Sequence, residues 1–292
     1  MVLSLNNSKF QTIQLCDFHN LFIKIITLLK HIWQKQAIYT VHNLPWREND
    51  QQKISKNANL RGSQSTRNID LLAPDSIKQL LDRTQAIAGL TLGELAAQLG
   101  VSLPVDLKRD KGTVGQLIEA ALGASAGSKA EPDFPHLGVE LKTLPIDRYG
   151  KPLESTYVCI APLTGTVLEK FEESWVCRKL QQVLWMPIFA EREIPLAERI
   201  IGNGFLWQPN PLQYQALKQD WEELMEQISL GGLDQIRGAH GKYLQLRPKA
   251  ANSKALTAGI GSQGETVQTL PRGFYLKTNF TSALLAAEFH LA

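Results

Sequence analysis

The hydrophobic period of this chain changes near Gly123, and that change restricts the fold more than any other feature. Before it, three segments carry apolar residues at helical spacing. "DSIKQLLDRTQAIAG" offers Asp75 or Ser76 as a cap and sets Ile77, Leu80 and Leu81 on one face. "TLGELAAQLG" places Thr91 and Glu94 at the spacing of a capping box. "TVGQLIEAALG" predicts a third helix that its last glycine ends. Beyond Gly123 the apolar residues alternate. "GVELKTLPI", "TYVCIAPLT" and "VLWMPIFA" predict strands, the first two separated by a turn in "RYGKPLEST". "PLQYQALKQDWEELMEQISLG" predicts a long amphipathic helix with acids in its middle. "KYLQLRP" and "GFYLK" predict short strands, and "NFTSALLAAEFHLA" a closing helix capped by Asn279 or Thr281. Helices on a mixed central sheet give an α/β class.

Charge divides the chain differently. Residues 1–73 hold nine Lys/Arg against four Asp/Glu, a net +5, and the remainder holds 22 against 24, a net −2. "RENDQQKISKNANLRGSQSTRN" is polar and aperiodic, as a linker is. The sequence therefore predicts a largely disordered leader over 1–70, with an amphipathic helix at 17–36, and a folded domain over 71–292. The best apolar run, "LFIKIITLLKHIW", is too short to cross a bilayer and carries Lys24 and Lys30. Cys16, Cys159 and Cys177 show no paired spacing, which argues for a reducing compartment and against a disulfide framework or a zinc site. A cytoplasmic protein with no membrane partner is expected. Overall basicity does not mark the main domain as a nucleic-acid binder. Locally, though, Arg237 to Lys277 contains seven basic residues and one acid. Such a stretch lines a phosphate-binding surface or forms a solvated basic face.

"EPDFPHLGVELKT" carries the chemistry. In a strand, Glu140 and Lys142 share a face, while Val139 and Leu141 point to the core. Asp133, beyond Pro135, can fold back to meet Glu140. Two carboxylates brought together repel unless a cation sits between them. Carboxylate and backbone-carbonyl oxygens with waters are what Mg²⁺ prefers. Lys142 would then orient a metal-bound water or stabilise charge on a phosphate oxygen. A surface strand with a solvated salt bridge satisfies the same loose pattern. Glu119, within "GQLIEAALG", is placed as a further acid or as an ordinary helix-surface glutamate. His136 is the histidine nearest the acids. "GASAG" has the letters of a hydrolase elbow, but a helix precedes it where a strand is required. "TLGELAAQLGVS" has the form of half a helix-turn-helix, which keeps a non-catalytic DNA-binding protein as an alternative.

"LTLGELA", "LKRDKG", "LGASAGSK", "LGVELKT", "APLTG", "DWEEL", "RPKAAN" and "LPRGFYLK" occur in that order. By these stretches the chain from about Leu71 onward resembles the MutH family of DNA mismatch-repair endonucleases. The resemblance implies a restriction-endonuclease-like fold with two arms around a DNA cleft. It implies Mg²⁺-dependent nicking of the unmethylated strand at hemimethylated GATC, with MutS and MutL as partners of a monomeric enzyme. It implies Asp133, Glu140 and the Leu141 carbonyl as metal ligands, and Lys142, Glu119 and Lys179 as catalytic residues. Lys111, Arg247, Lys249 and Tyr275 fall at DNA-binding positions, and Tyr275 at the one tied to methylation sensing. A type II restriction endonuclease for GATC is the alternative of the same class. "GAHGKY" departs from the family form, in which a basic residue precedes the histidine.

Overall fold

In the computed structural model, which describes residues 72–104, 112–127, 131–165, 169–250 and 254–290, three helices come first. The expected leader, its helix at 17–36, and Lys111 lie outside the described residues. Helix α1 (Ile77–Ile87) starts at Ser76, whose hydroxyl accepts the Gln79 N–H. Helix α2 (Leu92–Leu99) carries the full Thr91–Glu94 capping box and ends on Gly100. Helix α3 (Thr113–Leu122) ends on Gly123, whose φ of 78° is the left-handed conformation that closes the last turn.

Strand β1 (Glu140–Ile146) follows, running parallel to β3 (Val183–Phe189). β4 (Ile200–Ile201) and β5 (Phe205–Trp207) pair antiparallel with β3. A second, antiparallel sheet has the order β2 (Thr156–Ile160), β9 (Arg272–Leu276), β6 (Leu244–Pro248). β7 (Thr257–Ile260) and β8 (Thr266–Thr269) form a separate ribbon. Between β2 and β3 lies the short helix α4 (Trp175–Leu180), capped by Ser174. The long helix α5 (Pro211–Ser229) follows β5, and α6 (Thr278–Phe289) closes the chain. The fold is mixed α/β.

The parallel pair is covered on both faces, as parallel strands must be. Val139 and Leu141 join Leu184, Met186 and Ile188 in one core with the buried sides of α1, α2 and α3. Leu144, Ile146, Val183 and Trp185 point the other way, into a second core with α5, α6 and the antiparallel sheet. The alternative of a surface strand with a solvated salt bridge does not hold. Glu140 faces the second core and is 2% exposed. The closing helix also departs from expectation. It starts at Thr278 with Lys277 at the cap position, so Asn279 and Thr281 lie inside it.

Candidate active site

A bend before β1 assembles the acids. The single turn Pro135–Leu137 ends on Gly138, whose φ of 65° reverses the chain. Phe134 and Val139 then pair across the reversal, with the Phe134 N–H donating to the Val139 carbonyl at 2.9 Å. This lays Asp133 along the outer edge of β1, where its Oδ2 accepts the Leu141 N–H at 2.7 Å. The Asp133 carbonyl in turn accepts from Ser125 N at 3.1 Å, so the loop after α3 braces the bend. On the inner edge, Glu140 N donates to the Gln182 carbonyl at 3.0 Å. A strand residue turns its N–H and C=O to the same edge, and successive residues alternate. The Leu141 carbonyl therefore aims at the edge that carries Asp133. His136 does not meet the acids: its Nε2 lies 2.5 Å from the Pro74 carbonyl, tying the segment before α1 to the bend.

Glu140 and Lys142 share a face, and Lys142 Nζ donates to Glu140 Oε1 at 2.6 Å. Lys179, from α4, donates to Glu140 Oε2 at 2.8 Å and to the Glu131 carbonyl at 3.0 Å. Such partners offset the cost of burying a carboxylate. Glu119, on α3, lies within electrostatic reach of the group. Burial first, then the charge of Asp133 and that of Glu140, raise its carboxyl above the usual range, against Lys142 and Lys179. Asp133 is raised likewise, by burial first and then by Glu140, against the Leu141 N–H and the two lysines. On β2 the Cys159 thiol also feels both lysines, yet burial pushes it up to about 12, so it presents no thiolate.

A second group lies on the outer face of the antiparallel sheet. Tyr157 on β2 and Tyr275 on β9 meet edge to face, with centroids 5.3 Å apart. The Arg247 guanidinium stands 5.6 Å over Tyr275 and the Lys249 ammonium 4.4 Å over Tyr157. Arg247 also donates to Ser155 Oγ at 2.6 Å. Gly273 lies beneath the rings, where an added Cβ would stand 2.9 Å from Tyr157 and 3.3 Å from Tyr275. The two cations are thus held over the faces of half-buried rings, a surface of the kind that meets phosphates and bases.

The loop leading into this sheet is fixed by Asp220, a buried acid on α5. Its carboxylate accepts the N–H groups of Lys242, Tyr243 and Leu244 at 2.6, 2.6 and 2.7 Å. Lys277 Nζ holds the Gly241 carbonyl at 2.6 Å. Sequence reasoning missed Asp220, Tyr157 and Gly273. For Asp220 a signal existed: it falls on the stripe of Leu217, Trp221, Leu224 and Ile228, where an acid is out of place unless paired.

The structure thus gathers Glu119, Asp133, Glu140, Leu141, Lys142 and Lys179, and sets Arg247, Lys249 and Tyr275 apart on the second sheet. The family model described as the DNA mismatch repair enzyme MutH matches residues 122–220. The DNA mismatch repair protein MutH of Shewanella baltica (strain OS185) is 57% identical over 219 residues, 75% of this chain and 98% of that protein. Its namesake from Escherichia coli (strain K12) is 58% identical over 219 residues, covering 75% of this chain and 96% of that protein. The chain belongs to the MutH family. As a member it is a mismatch-repair endonuclease, a hydrolase acting on phosphodiester bonds. The stretch that the MutH model matches runs from the end of α3 into α5. It includes Asp133, Glu140, Lys142 and Lys179, whereas Glu119, Arg247, Lys249 and Tyr275 lie outside it.

Proposed function

We propose that this endonuclease uses Mg²⁺ to nick the unmethylated strand of double-stranded DNA at hemimethylated GATC, under control of MutS and MutL. The observation that carries the metal reading is that Asp133 and Glu140 lie at one strand end, near enough for the charge of Glu140 to raise Asp133, with Lys142 held on Glu140. Among the described residues no three His, Cys, Asp or Glu side chains are gathered tightly enough to hold a metal by themselves. Asp133 and the Leu141 carbonyl nevertheless supply hard oxygens at the outer edge of β1, and Glu140 supplies a carboxylate at the same strand end. Two carboxylates completed by a carbonyl and waters suit Mg²⁺, which gives up its waters reluctantly. After burial, the charge of Glu140 raises Asp133, and the charges of Asp133 and Glu140 raise Glu119, which supports a site built for added positive charge.

Asp133, Glu140 and the Leu141 carbonyl would hold the ion, and Glu119 would stand as a further acid. Bound there, Mg²⁺ supplies a Lewis acid and an acidified water. Lys142 keeps its ammonium at the same carboxylate, placed to orient the attacking water and to donate to a phosphoryl oxygen as charge builds. Lys179 approaches from α4, where it can meet the DNA backbone. Arg247 and Lys249, with Lys111, serve backbone and base contacts, and Tyr275 reads the adenine methyl position. The second sheet and the helical half would form the two arms of a restriction-endonuclease-like cleft. Residues 71–292 form the nuclease unit, which acts as a cytoplasmic monomer. No helix among the described residues is long and apolar enough to cross a membrane.

The test is a supercoiled plasmid with unmethylated, hemimethylated or fully methylated GATC, with Mg²⁺ and with or without MutL and ATP. Asp133→Asn and Glu140→Gln should each lower nicking by at least about a hundredfold while DNA binding in EDTA persists. Fast double-strand cutting of unmethylated plasmid without MutL would instead indicate a restriction enzyme. Binding without any cleavage would indicate a non-catalytic protein.

A further inference from the structure

Glu140 has two carboxylate oxygens, and each already accepts an ammonium proton, Oε1 from Lys142 and Oε2 from Lys179. A dication that uses this carboxylate must share or take one of those places. The two lysines are not equivalent. Lys142 is two residues from Glu140 on the same strand, so the backbone keeps it within reach whatever else binds. Lys179 comes from another element, 39 residues away, and reaches the acid with the tip of a flexible side chain. The two side chains are similarly exposed, at 18% for Lys179 and 14% for Lys142, so it is the backbone tether and not burial that separates them. The second acceptor of Lys179, the Glu131 carbonyl, is neutral and lies outside the acid cluster. It offers the ammonium a foothold away from Glu140.

We infer that Lys179 is a resident counter-ion of the metal site, which holds Glu140 Oε2 in the DNA-free protein and gives it up to a divalent cation. This rests on the reading of Asp133 and Glu140 as metal ligands. The exchange has a consequence for charge. Three carboxylates face two ammonium groups, a cluster that repels a phosphodiester. A dication reverses that sign, and the released Lys179 ammonium becomes available to the same phosphate. Metal and DNA would then each strengthen the other's binding, reciprocally.

The experiment is calorimetric titration of the metal-stripped full chain with Mg²⁺. Lys179→Met should bind Mg²⁺ about tenfold more tightly than wild type, the worth of one charge-assisted hydrogen bond no longer in competition. Lys179→Arg, which keeps the charge, should bind no tighter than wild type. Circular dichroism checks each fold, and Lys179→Gln replaces the methionine variant if that one fails to fold. Unchanged or weaker Mg²⁺ binding in the uncharged variant would overturn the inference, because the lysine would then be bracing the site. Asp133→Asn separates this failure from a deeper one. If it binds Mg²⁺ as wild type does, the metal site itself is misassigned. If it loses binding while the Lys179 variants match wild type, the counter-ion role alone falls.

Discussion

At the scale of single residues, the acid cluster is held together against its own charge. Glu119 and Asp133 are both pushed up by burial and by neighbouring carboxylates. Glu119→Gln removes one of the repelling charges and keeps the shape. Melted in EDTA at neutral pH, that variant should gain about 2–4 °C, the shift expected from roughly 1 kcal/mol in a domain of this size. Its nicking should fall at the same time, and added Mg²⁺ should narrow the gap in melting temperature. Glu191 shows the opposite electrostatics. Arg148 grips it with Nε at 2.8 Å and Nη2 at 2.6 Å, and these hydrogen bonds hold its carboxyl down to about 2. A carboxyl lowered in this way adds stability above its ordinary value of 4.5 and loses it as pH falls toward 2. Urea unfolding at pH 6, 4 and 2.5 should therefore show a flatter pH dependence for Glu191→Gln than for wild type. Nicking at neutral pH should not change.

At the scale of elements, local chemistry was legible where caps and periods agree. The Thr91–Glu94 box, the glycine stop at Gly123 and the alternation of "GVELKT" each state their element in a few residues, and each holds. The short pieces were not legible. α4 has six residues and β4 two, too few for any period to show. Both depend on neighbours distant in sequence: β4 exists because β3 offers it an edge. Lys179 shares that fate, since only the packing of α4 brings it to Glu140; resemblance, not spacing, had pointed to it. Asp220 is the clearest test of an element held by one side chain. Asp220→Ala would leave the N–H groups of Lys242, Tyr243 and Leu244 without their acceptor. A loss of about 2–4 kcal/mol in urea unfolding is expected, from more than one orphaned buried donor. Asp220→Asn, which keeps one acceptor oxygen, should lose less.

At the scale of the whole molecule, the parallel pair β1–β3 is a wall between two cores, and the acids sit at the end of β1 where the bend arrives. The cations over the tyrosines belong to the other sheet. If that sheet grips the DNA backbone, affinity should fall steeply with salt, and replacing Lys249 by Ala should lower the slope of log K against log salt by about one. Fluorescence anisotropy with a short GATC duplex in EDTA measures this, and a slope unchanged by the substitution would remove Lys249 from the phosphate contacts. The outer edge of β1 holds a final consequence. Asp133 hands Leu141 the bond that an adjoining strand would ordinarily provide. Truncating it to alanine would strip the proposed ligand and unzip a seam in one stroke, so an inactive alanine mutant is mute about metal. Asparagine keeps the seam sewn, and only its silence in a nicking assay speaks to the ion.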